Sequence, residues 1–411
     1  MKAEIISTGT ELLLGHTPDM DACIISNMLS ELGIDIFRHV TIGDNKDRLS
    51  SAIKEAGERS NIVIIAGGLG PTVDDITISA IADAAKKNLV FNKDVFNQLK
   101  IYFDKRKVKL PKGAIKQALL PEGCEIIQNS VGTAPGIVLK DHDKYIIALP
   151  GPPGELECMV KNDIYQYLKK LRGAGRIIRS RGVKIIGLPE AAVDEKVKDL
   201  LSLSGDTTVG IYTYTGEVLL RITAKAMNKK AADKELDKLE RVIRKRFADL
   251  VYGTDSDTLE SVVGQFLTRS KKTIAVAESC TGGYISNLLT NVPGSSNYFT
   301  MGIVAYSNKI KTDKLGISAD IIKKYGAVSK DVARLMAKNV RKLAGSNIGI
   351  GATGIAGPGG ATKGKPVGLV YISLATEKKR IVKELRLSGT RQDIKIKASK
   401  QALDLIRRYF I

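Results

Sequence analysis

Long apolar runs, paired cysteines and histidines are scarce in this 411-residue chain, and each scarcity removes a class of protein. No stretch approaches the roughly 18 uninterrupted apolar residues of a membrane-crossing helix, so no membrane partner is expected. The first residues, MKAEIISTGTELLLG, run straight into a strand pattern instead of a charged leader and an apolar block, which makes a cytoplasmic protein the expectation. Four cysteines (Cys23, Cys124, Cys158, Cys280) lie far apart, with no CxxC pair and no cysteine–histidine spacing suited to zinc. Reduced thiols are expected, in neither a disulfide framework nor a structural metal site. The three histidines are His16, His39 and His142, so residues 254–411 contain none. A Ser-His-Asp or Cys-His pair therefore cannot be built within that stretch unless another domain or subunit supplies the base.

What is present is ordinary core material and much charge. Hydrophobic residues make up 43%, and the length has room for roughly two to four domains. The formal net charge of +20 is unevenly spread. Lys and Arg number 18 against 21 Asp and Glu up to residue 160, 20 against 12 over residues 161–253, and 26 against 11 beyond. An overall basic chain invites a nucleic-acid reading, which the acidic first part weakens. The asymmetry fits a carboxylate-rich metal site at one end and anionic small molecules at the other, or a lysine-rich solvated surface as in heat-adapted proteins.

The pattern along the chain is α/β in two places. Over residues 1–172, apolar runs such as AEIIST, NIVIIAGG and KYIIALPG alternate with amphipathic stretches, which argues a largely parallel sheet. Residues 173–253 read β-α-β-β-α, a small α+β module with a hairpin turning at Thr215-Gly216 and with hinges at Gly173-Ala174-Gly175 and Tyr252-Gly253-Thr254. Residues 254–411 return to α/β: helix LESVVGQFLTRS, strand KTIAVAES, helix TGGYISNLLTNV, strands TMGIVAYSN, NIGIGATG and VGLVYISLAT, then a terminal helix.

In AESCTGG (277–283) serine and cysteine sit side by side before a glycine pair. Ser279 falls where a strand gives way to a helix, at the carboxyl end of the sheet, where α/β proteins bind ligands. The amides of Thr281, Gly282 and Gly283 can there hold an oxyanion or a phosphate; alternatively Ser279 is an N-cap and the glycines a tight turn. Without imidazole, lysine or tyrosine must act as base. GIVAYSNKIKTDKLG offers Tyr306 at a strand end and then Lys309, Lys311 and Lys314, unless these lysines merely line a solvated helix. A lysine serves as base only unprotonated, which desolvation and nearby positive charge favour. Cys280 is the rival nucleophile, although one position further on it points into sheet–helix packing. In GATGIAGPGGATKGKPVG, Thr353 follows a strand and the amides of Gly354, Ile355 and Ala356 can cradle an anion, though turns use the same residues.

AESCTGG, GIVAYSN with Lys311 five residues after Tyr306, GATGIAGPGG followed by KPVG, and SGTR at 388–391 together resemble the CinA family, whose C-terminal domain is similar to stand-alone nicotinamide mononucleotide deamidases of the PncC type. The resemblance implies a serine–lysine amidohydrolase that needs no cofactor and converts nicotinamide mononucleotide to nicotinic acid mononucleotide and ammonia. Carried over by position, Ser279 is the nucleophile, Lys311 its base and Tyr306 an aid to proton transfer. Thr353, Gly354 and the Thr281–Gly283 amides then bind substrate, and Arg391 meets the phosphate or the carboxamide.

In the first domain, STGTELLLG (7–15), GDN (43–45), AGGLGPTVDDIT (66–77) and LPGPPGE (149–155) fall in strand-end loops. Gly67, Gly68 and Gly70 permit backbone approach to a phosphate, and Asp74 and Asp75 beside them suit a hard divalent cation or simply a helix N-terminus. GGLGPTVDD with LPGPP resembles the molybdopterin-binding fold of MoaB, MogA and MoeA, which forms the N-terminal domain of CinA proteins. Several members of this N-terminal family are ascribed metal-dependent ADP-ribose pyrophosphatase activity, and since this chain has Pro150-Gly151-Pro152-Pro153 where MoeA-type proteins carry PGNP, the resemblance implies hydrolysis of ADP-ribose to AMP and ribose 5-phosphate ahead of molybdopterin binding. That activity implies magnesium, manganese or cobalt near Asp44, Asp74 and Asp75, and ADP-ribose held by Thr8, Gly9, Glu11, Gly67, Gly68, Gly70, Thr72, Gly151 and Pro152. The middle segment resembles the KH-like domain of CinA proteins, yet residues 161–253 contain no GxxG. Tyr212 and Tyr214 share a strand face that can stack bases, though a packed hairpin face is the expectation. The module is read as a spacer and dimerisation element, so the partners expected are small nucleotides and a second copy of the chain. The alternative is a nucleic-acid-associated competence or DNA-damage protein.

Overall fold

A computed structural model describes residues 1–173 and 175–411; Ala174, within one expected hinge, lies outside the described residues. The rest forms two compact units, Met1–Arg179 with Lys225–Asp233, and Ser180–Ala224 with Lys234–Ile411.

In the first unit the strands Asp35–Ile42, Lys2–Thr8, Ile62–Ala66 and Lys144–Leu149 lie side by side in parallel, and Gly136–Asp141 and Glu125–Ile127 continue the sheet antiparallel. The apolar run IVIIA is buried throughout because both faces are covered, as parallel sheets require. Ile62 and Ile64 join Ile5 beneath helix Met20–Glu31; Val63 and Ile65 join Ile6 beneath helices Lys46–Arg59 and Thr77–Ala84. The expected parallel sheet is thus a mixed one, with its parallel strands ending at the glycine loops.

The middle module has the expected order: strand Ile177–Ile186, helix Glu190–Leu201, strands Thr207–Tyr214 and Glu217–Ala226 turning at Thr215-Gly216, and helix Lys229–Phe247. Two expectations need correction. The hinge at Tyr252–Thr254 is a fourth strand, Val251–Thr254, antiparallel to Ile177–Ile186, because Val251 and Tyr252 have apolar surface to bury and the Tyr252 hydroxyl finds the Glu217 carboxylate at 2.7 Å. The Tyr212 and Tyr214 face is not packed. Both rings are about half exposed, on the sheet's edge strand, while the opposite face carries the buried Val209.

The last domain has strands Phe299–Val304, Ile274–Glu278 and Ile348–Gly354 in parallel, then Leu369–Ala375 and Arg380–Arg386 antiparallel. The fifth strand, rich in charge, was not expected. Helices Leu259–Arg269, Tyr284–Thr290 and Arg391–Phe410 cover the face of Ile274 and Val276; helix Lys330–Leu343 covers the face of Ala275 and Ala277. That second face is lined with small residues for a reason. A Cβ at Gly351 would meet Ala333 O at 2.4 Å, and one at Gly349 would meet Ala337 O at 2.1 Å, so helix and strand approach backbone to backbone. Overpacking of this kind costs about 1–3 kcal/mol, occasionally more. Gly351→Val is therefore expected to lower the unfolding free energy by at least that amount in denaturant titrations, and an unchanged midpoint contradicts the close approach.

Candidate active site

Strand Ile274–Glu278 ends on a carboxylate, and the chain turns through residues 279–283 into helix Tyr284–Thr290. Glu278 is fully buried. Its oxygens accept hydrogen bonds from the N–H groups of Gly283 (3.0 Å), Ile285 (3.0 Å) and Ser286 (2.8 Å) and from Ser286 Oγ (2.7 Å). A carboxylate here satisfies donors that a helix start leaves open and meets the positive end of the helix. Gly282 N–H donates to Ser279 O (3.1 Å), and Gly282 and Gly283 take the left-handed φ values of +62° and +93° that the turn needs. This corrects the expectation that the Gly282 and Gly283 amides face a ligand: both are spent inside the turn. Thr281 is fully buried, its hydroxyl without a protein partner, and the N–H groups of Cys280 and Thr281 are those that neither Glu278 nor Ser279 engages.

Ser307 caps the neighbouring helix Asn308–Asp313 by accepting from Ile310 N–H. Of the three lysines, Lys309 is exposed and paired with Asp313, Lys314 is exposed, and Lys311 is 1% exposed. Lys311 Nζ lies 3.1 Å from Ser279 Oγ and donates to the carbonyls of Ala305 (2.8 Å) and Tyr306 (3.1 Å). Burial pulls its pKa below the ordinary lysine value, because a desolvated ammonium loses its hydration. A neutral amine has two N–H groups and one lone pair. As an ammonium, Lys311 donates its third N–H to Ser279 Oγ; in the neutral form, with both N–H groups on the carbonyls, the lone pair faces that hydroxyl instead. Glu278 links the two halves, since its own carbonyl accepts from Ala305 N–H (2.7 Å), while Ser279 N–H donates to Ala352 O (2.9 Å) on the third parallel strand.

Cys280 packs into the core with Val276 and Ile285, and burial pushes its thiol up to about 12, so it remains protonated. Tyr306 stands two residues beyond its strand, not at the strand end, and is 60% exposed; its hydroxyl accepts from Arg391 Nη2 (3.0 Å). Arg391 opens the terminal helix and also donates to Gly357 O (2.6 Å). Thr353 is buried with its hydroxyl on Ala327 O (2.9 Å). The Ile355 amide is bound to Leu369 O (2.9 Å), so the anion cradle expected over 354–356 loses that donor to the sheet. A cleft of about 220 Å³ is lined by Ser279, Cys280, Tyr306, Lys311, Thr353, Gly354 and Arg391, together with Asn308, the last residue of GIVAYSN, to which the sequence pattern assigned no role.

In the first unit a cleft of about 310 Å³ gathers Gly68, Gly70, Asp75, Gly151 and Pro152, and beyond the expected set Gln117, Thr133 and Glu155. Thr8, Gly9, Glu11, Gly67 and Thr72 do not line it. Gly67 is turned inward, where a Cβ would meet Thr8 O at 2.7 Å, and Gly9 lies against the Glu11 carboxylate. The metal set is not assembled. Asp44 Oδ2 accepts from Thr10 N–H (3.0 Å) and Oγ1 (2.7 Å), Asp75 Oδ2 accepts from Thr72 N–H (2.8 Å) and Oγ1 (2.6 Å), and Asp74 is exposed. Among the described residues no group of three or more His, Cys, Asp or Glu side chains can hold a metal ion. Asp44 and Asp75 act as loop caps, the commoner use of aspartate beside threonine. No helix among the described residues is long and apolar enough to cross a membrane.

Glu278→Gln is the sharpest probe of the turn, because the new NH₂ would confront backbone donors. A loss of about 2–3 kcal/mol in unfolding free energy is expected, the scale of a buried charge-assisted network broken at one partner; a loss below half a kcal/mol contradicts the capping role.

Comparison with known proteins follows the same division of the chain. Residues 256–410 match the family described as CinA C-terminal domain, residues 4–170 the "Probable molybdopterin binding domain", and residues 180–253 the damage-inducible protein CinA KH domain. The CinA-like protein of Dictyoglomus thermophilum is 45% identical over 408 residues, 99% of each chain. That of Kosmotoga olearia is 44% identical over 408 residues, 99% of this chain and 98% of its own. A protein of Caldicellulosiruptor bescii named for competence-damage induction is 44% identical over 411 residues, the whole of both. With likeness at this level from end to end, the chain belongs to the CinA family.

Proposed function

We propose that the last domain is a serine–lysine amidohydrolase that deamidates nicotinamide mononucleotide to nicotinic acid mononucleotide and ammonia. The observation that carries this is the 3.1 Å approach of Lys311 Nζ to Ser279 Oγ, both buried, in a domain without histidine. The Lys311 lone pair takes the seryl proton as Ser279 Oγ attacks the carboxamide carbon. The N–H groups of Cys280 and Thr281 are the turn donors left for the oxyanion. The tetrahedral intermediate collapses as the Lys311 ammonium gives its proton to the leaving nitrogen, and ammonia departs. Water, deprotonated by the regenerated amine, then cleaves the acyl-enzyme. Arg391 and Tyr306 stand at the cleft, where a guanidinium suits the nucleotide's phosphate. Nucleophile, base and donors all come from this chain, and the scheme uses no metal.

A second reading belongs to the first domain: a nucleotide phosphoanhydride such as ADP-ribose binds where Gly68, Gly70, Asp75 and Gly151 share one cleft. The dispersed aspartates, committed to Thr10 and Thr72, do not fit a resident magnesium, manganese or cobalt ion. A nucleic-acid role has the exposed Tyr212 and Tyr214 in its favour, but residues 161–253 carry no GxxG.

Ser279→Ala is expected to lower ammonia release from nicotinamide mononucleotide by roughly 10⁴-fold or more and Lys311→Met by roughly 10²–10⁴-fold, while Cys280→Ala keeps it; an active Ser279→Ala overturns the assignment. Because the base must be neutral and burial lowers its pKa, kcat/KM should rise with pH through an apparent pKa below 10.5. A rate that falls over that limb makes Lys311 an ammonium-form electrophile instead. For the first domain, chromatography of ADP-ribose incubated with the protein, with added divalent cation or with chelator, should show AMP and ribose 5-phosphate; intact ADP-ribose in every arm removes that activity.

A further inference from the structure

Lys365 belongs to the KPVG motif, and no step of the deamidation uses it. It sits in the glycine-rich loop between strands Ile348–Gly354 and Leu369–Ala375, where its N–H and its carbonyl both bond to Thr362 (2.9 and 3.0 Å) in a tight turn. Its side chain reaches out of that loop. Nζ donates to the carbonyls of Tyr325 (2.7 Å) and Val328 (2.7 Å), 40 and 37 residues away in sequence. Tyr325 closes helix Ala319–Tyr325, and a helix ends on open carbonyls and a partial negative charge, so an ammonium is favoured there on both counts. Gly326 makes room for it. A Cβ at that position would meet Lys365 Nζ at 2.6 Å, and the backbone there takes a φ of +78°.

The segment held in this way is part of the wall of the cleft in the last domain. Residues 326–329 link helix Ala319–Tyr325 to helix Lys330–Leu343, and Ala327 and Val328 line the cleft with Ser279 and Lys311. Each carbonyl from Tyr325 to Val328 accepts from a side chain: Gly326 O from Ser329 Oγ (3.0 Å), Ala327 O from Thr353 Oγ1 (2.9 Å), and the outer two from Lys365. Lys365 thereby ties this linker to the glycine-rich loop, whose start Arg391 holds through Gly357 O (2.6 Å). Nucleophile and base are positioned elsewhere, on the turn after strand Ile274–Glu278 and on helix Asn308–Asp313. Loosening the linker alters the fit of the cleft to substrate and leaves the serine–lysine pair in place.

We propose that Lys365 is a positioning residue, which fastens the linker 326–329 to the glycine-rich loop and so fixes the wall against which substrate binds. The kinetic expectation rests on the deamidase reading above; the fastening does not. The test compares Lys365→Met with Lys363→Met in the full-length protein, because Lys363 is an exposed lysine of the same loop. With nicotinamide mononucleotide, Lys365→Met should raise KM about tenfold, the effect of one lost hydrogen bond of ordinary net strength, while kcat stays within about twofold and its pH dependence is unchanged. Lys363→Met should keep the wild-type KM. The second readout is hydrogen–deuterium exchange followed by mass spectrometry, in which segments 326–329 and 357–368 should exchange severalfold faster in Lys365→Met while strand Ile274–Glu278 stays protected. An unchanged KM, a fall in kcat without a rise in KM, or an equal rise of KM in Lys363→Met overturns the proposal. So does unchanged exchange in the two segments, or acceleration that spreads to the strand. If the wild-type protein releases no ammonia from nicotinamide mononucleotide, the deamidase reading falls and the exchange pattern decides the fastening by itself.

Discussion

A lysine amine drawn out of water and held by two backbone carbonyls governs the last domain. The carbonyls of Ala305 and Tyr306 attract the charged form, and loss of hydration opposes it; desolvation wins, and the pKa falls. The same two carbonyls aim the amine. With two directions on nitrogen committed to these carbonyls, the third points at Ser279 Oγ, as a donated N–H in the ammonium and as the lone pair in the neutral amine. A seryl hydroxyl on its own is a weak nucleophile, so the chemistry available to this cleft depends on that alignment.

The alignment depends in turn on Glu278. Its carboxylate gathers the start of helix Tyr284–Thr290 and so shapes the turn carrying Ser279, while its carbonyl holds Ala305, whose own carbonyl holds Lys311. One residue therefore sets the positions of nucleophile and base, the first through its side-chain carboxylate and the second through its backbone carbonyl. Three adjacent parallel strands complete the arrangement. They end at the same edge of the sheet, so the loops carrying Ser279 and Tyr306 meet Thr353, which lies within the end of strand Ile348–Gly354 and not after it, without long connections.

The first domain uses similar loops to a different end. Its glycines serve internal contact as much as ligand approach, with Gly67 against Thr8 and Gly151 against Gly67. Its aspartates brace threonine-containing turns. The cleft that results is lined by Asp75, Glu155 and apolar residues, unlike the lysine-bearing cleft of the last domain, although both lie where parallel strands give way to loops.

Apolar periodicity alone determined the alternating α/β pattern, the β-α-β-β-α middle module and its turn at Thr215-Gly216, because these follow from local burial and turn chemistry. Motif order pointed to Ser279, Lys311, Tyr306, Thr353 and Arg391, and the absence of histidine from residues 254–411 excluded an imidazole base from that segment. Hydrogen-bond ownership was not legible. Whether the Gly283 amide faces a ligand or a carboxylate depends on where Glu278 points; whether Asp75 joins a metal set or caps Thr72 depends on a loop three residues long. The strand Val251–Thr254, the exposed Tyr212 and Tyr214, and the carbonyls that Lys365 finds likewise turn on which distant segment packs alongside. Composition and spacing record which donors and acceptors a chain carries, but only the closed fold decides which of them pair with one another, since each has several partners within reach and folding selects the set that leaves fewest buried and unpaired.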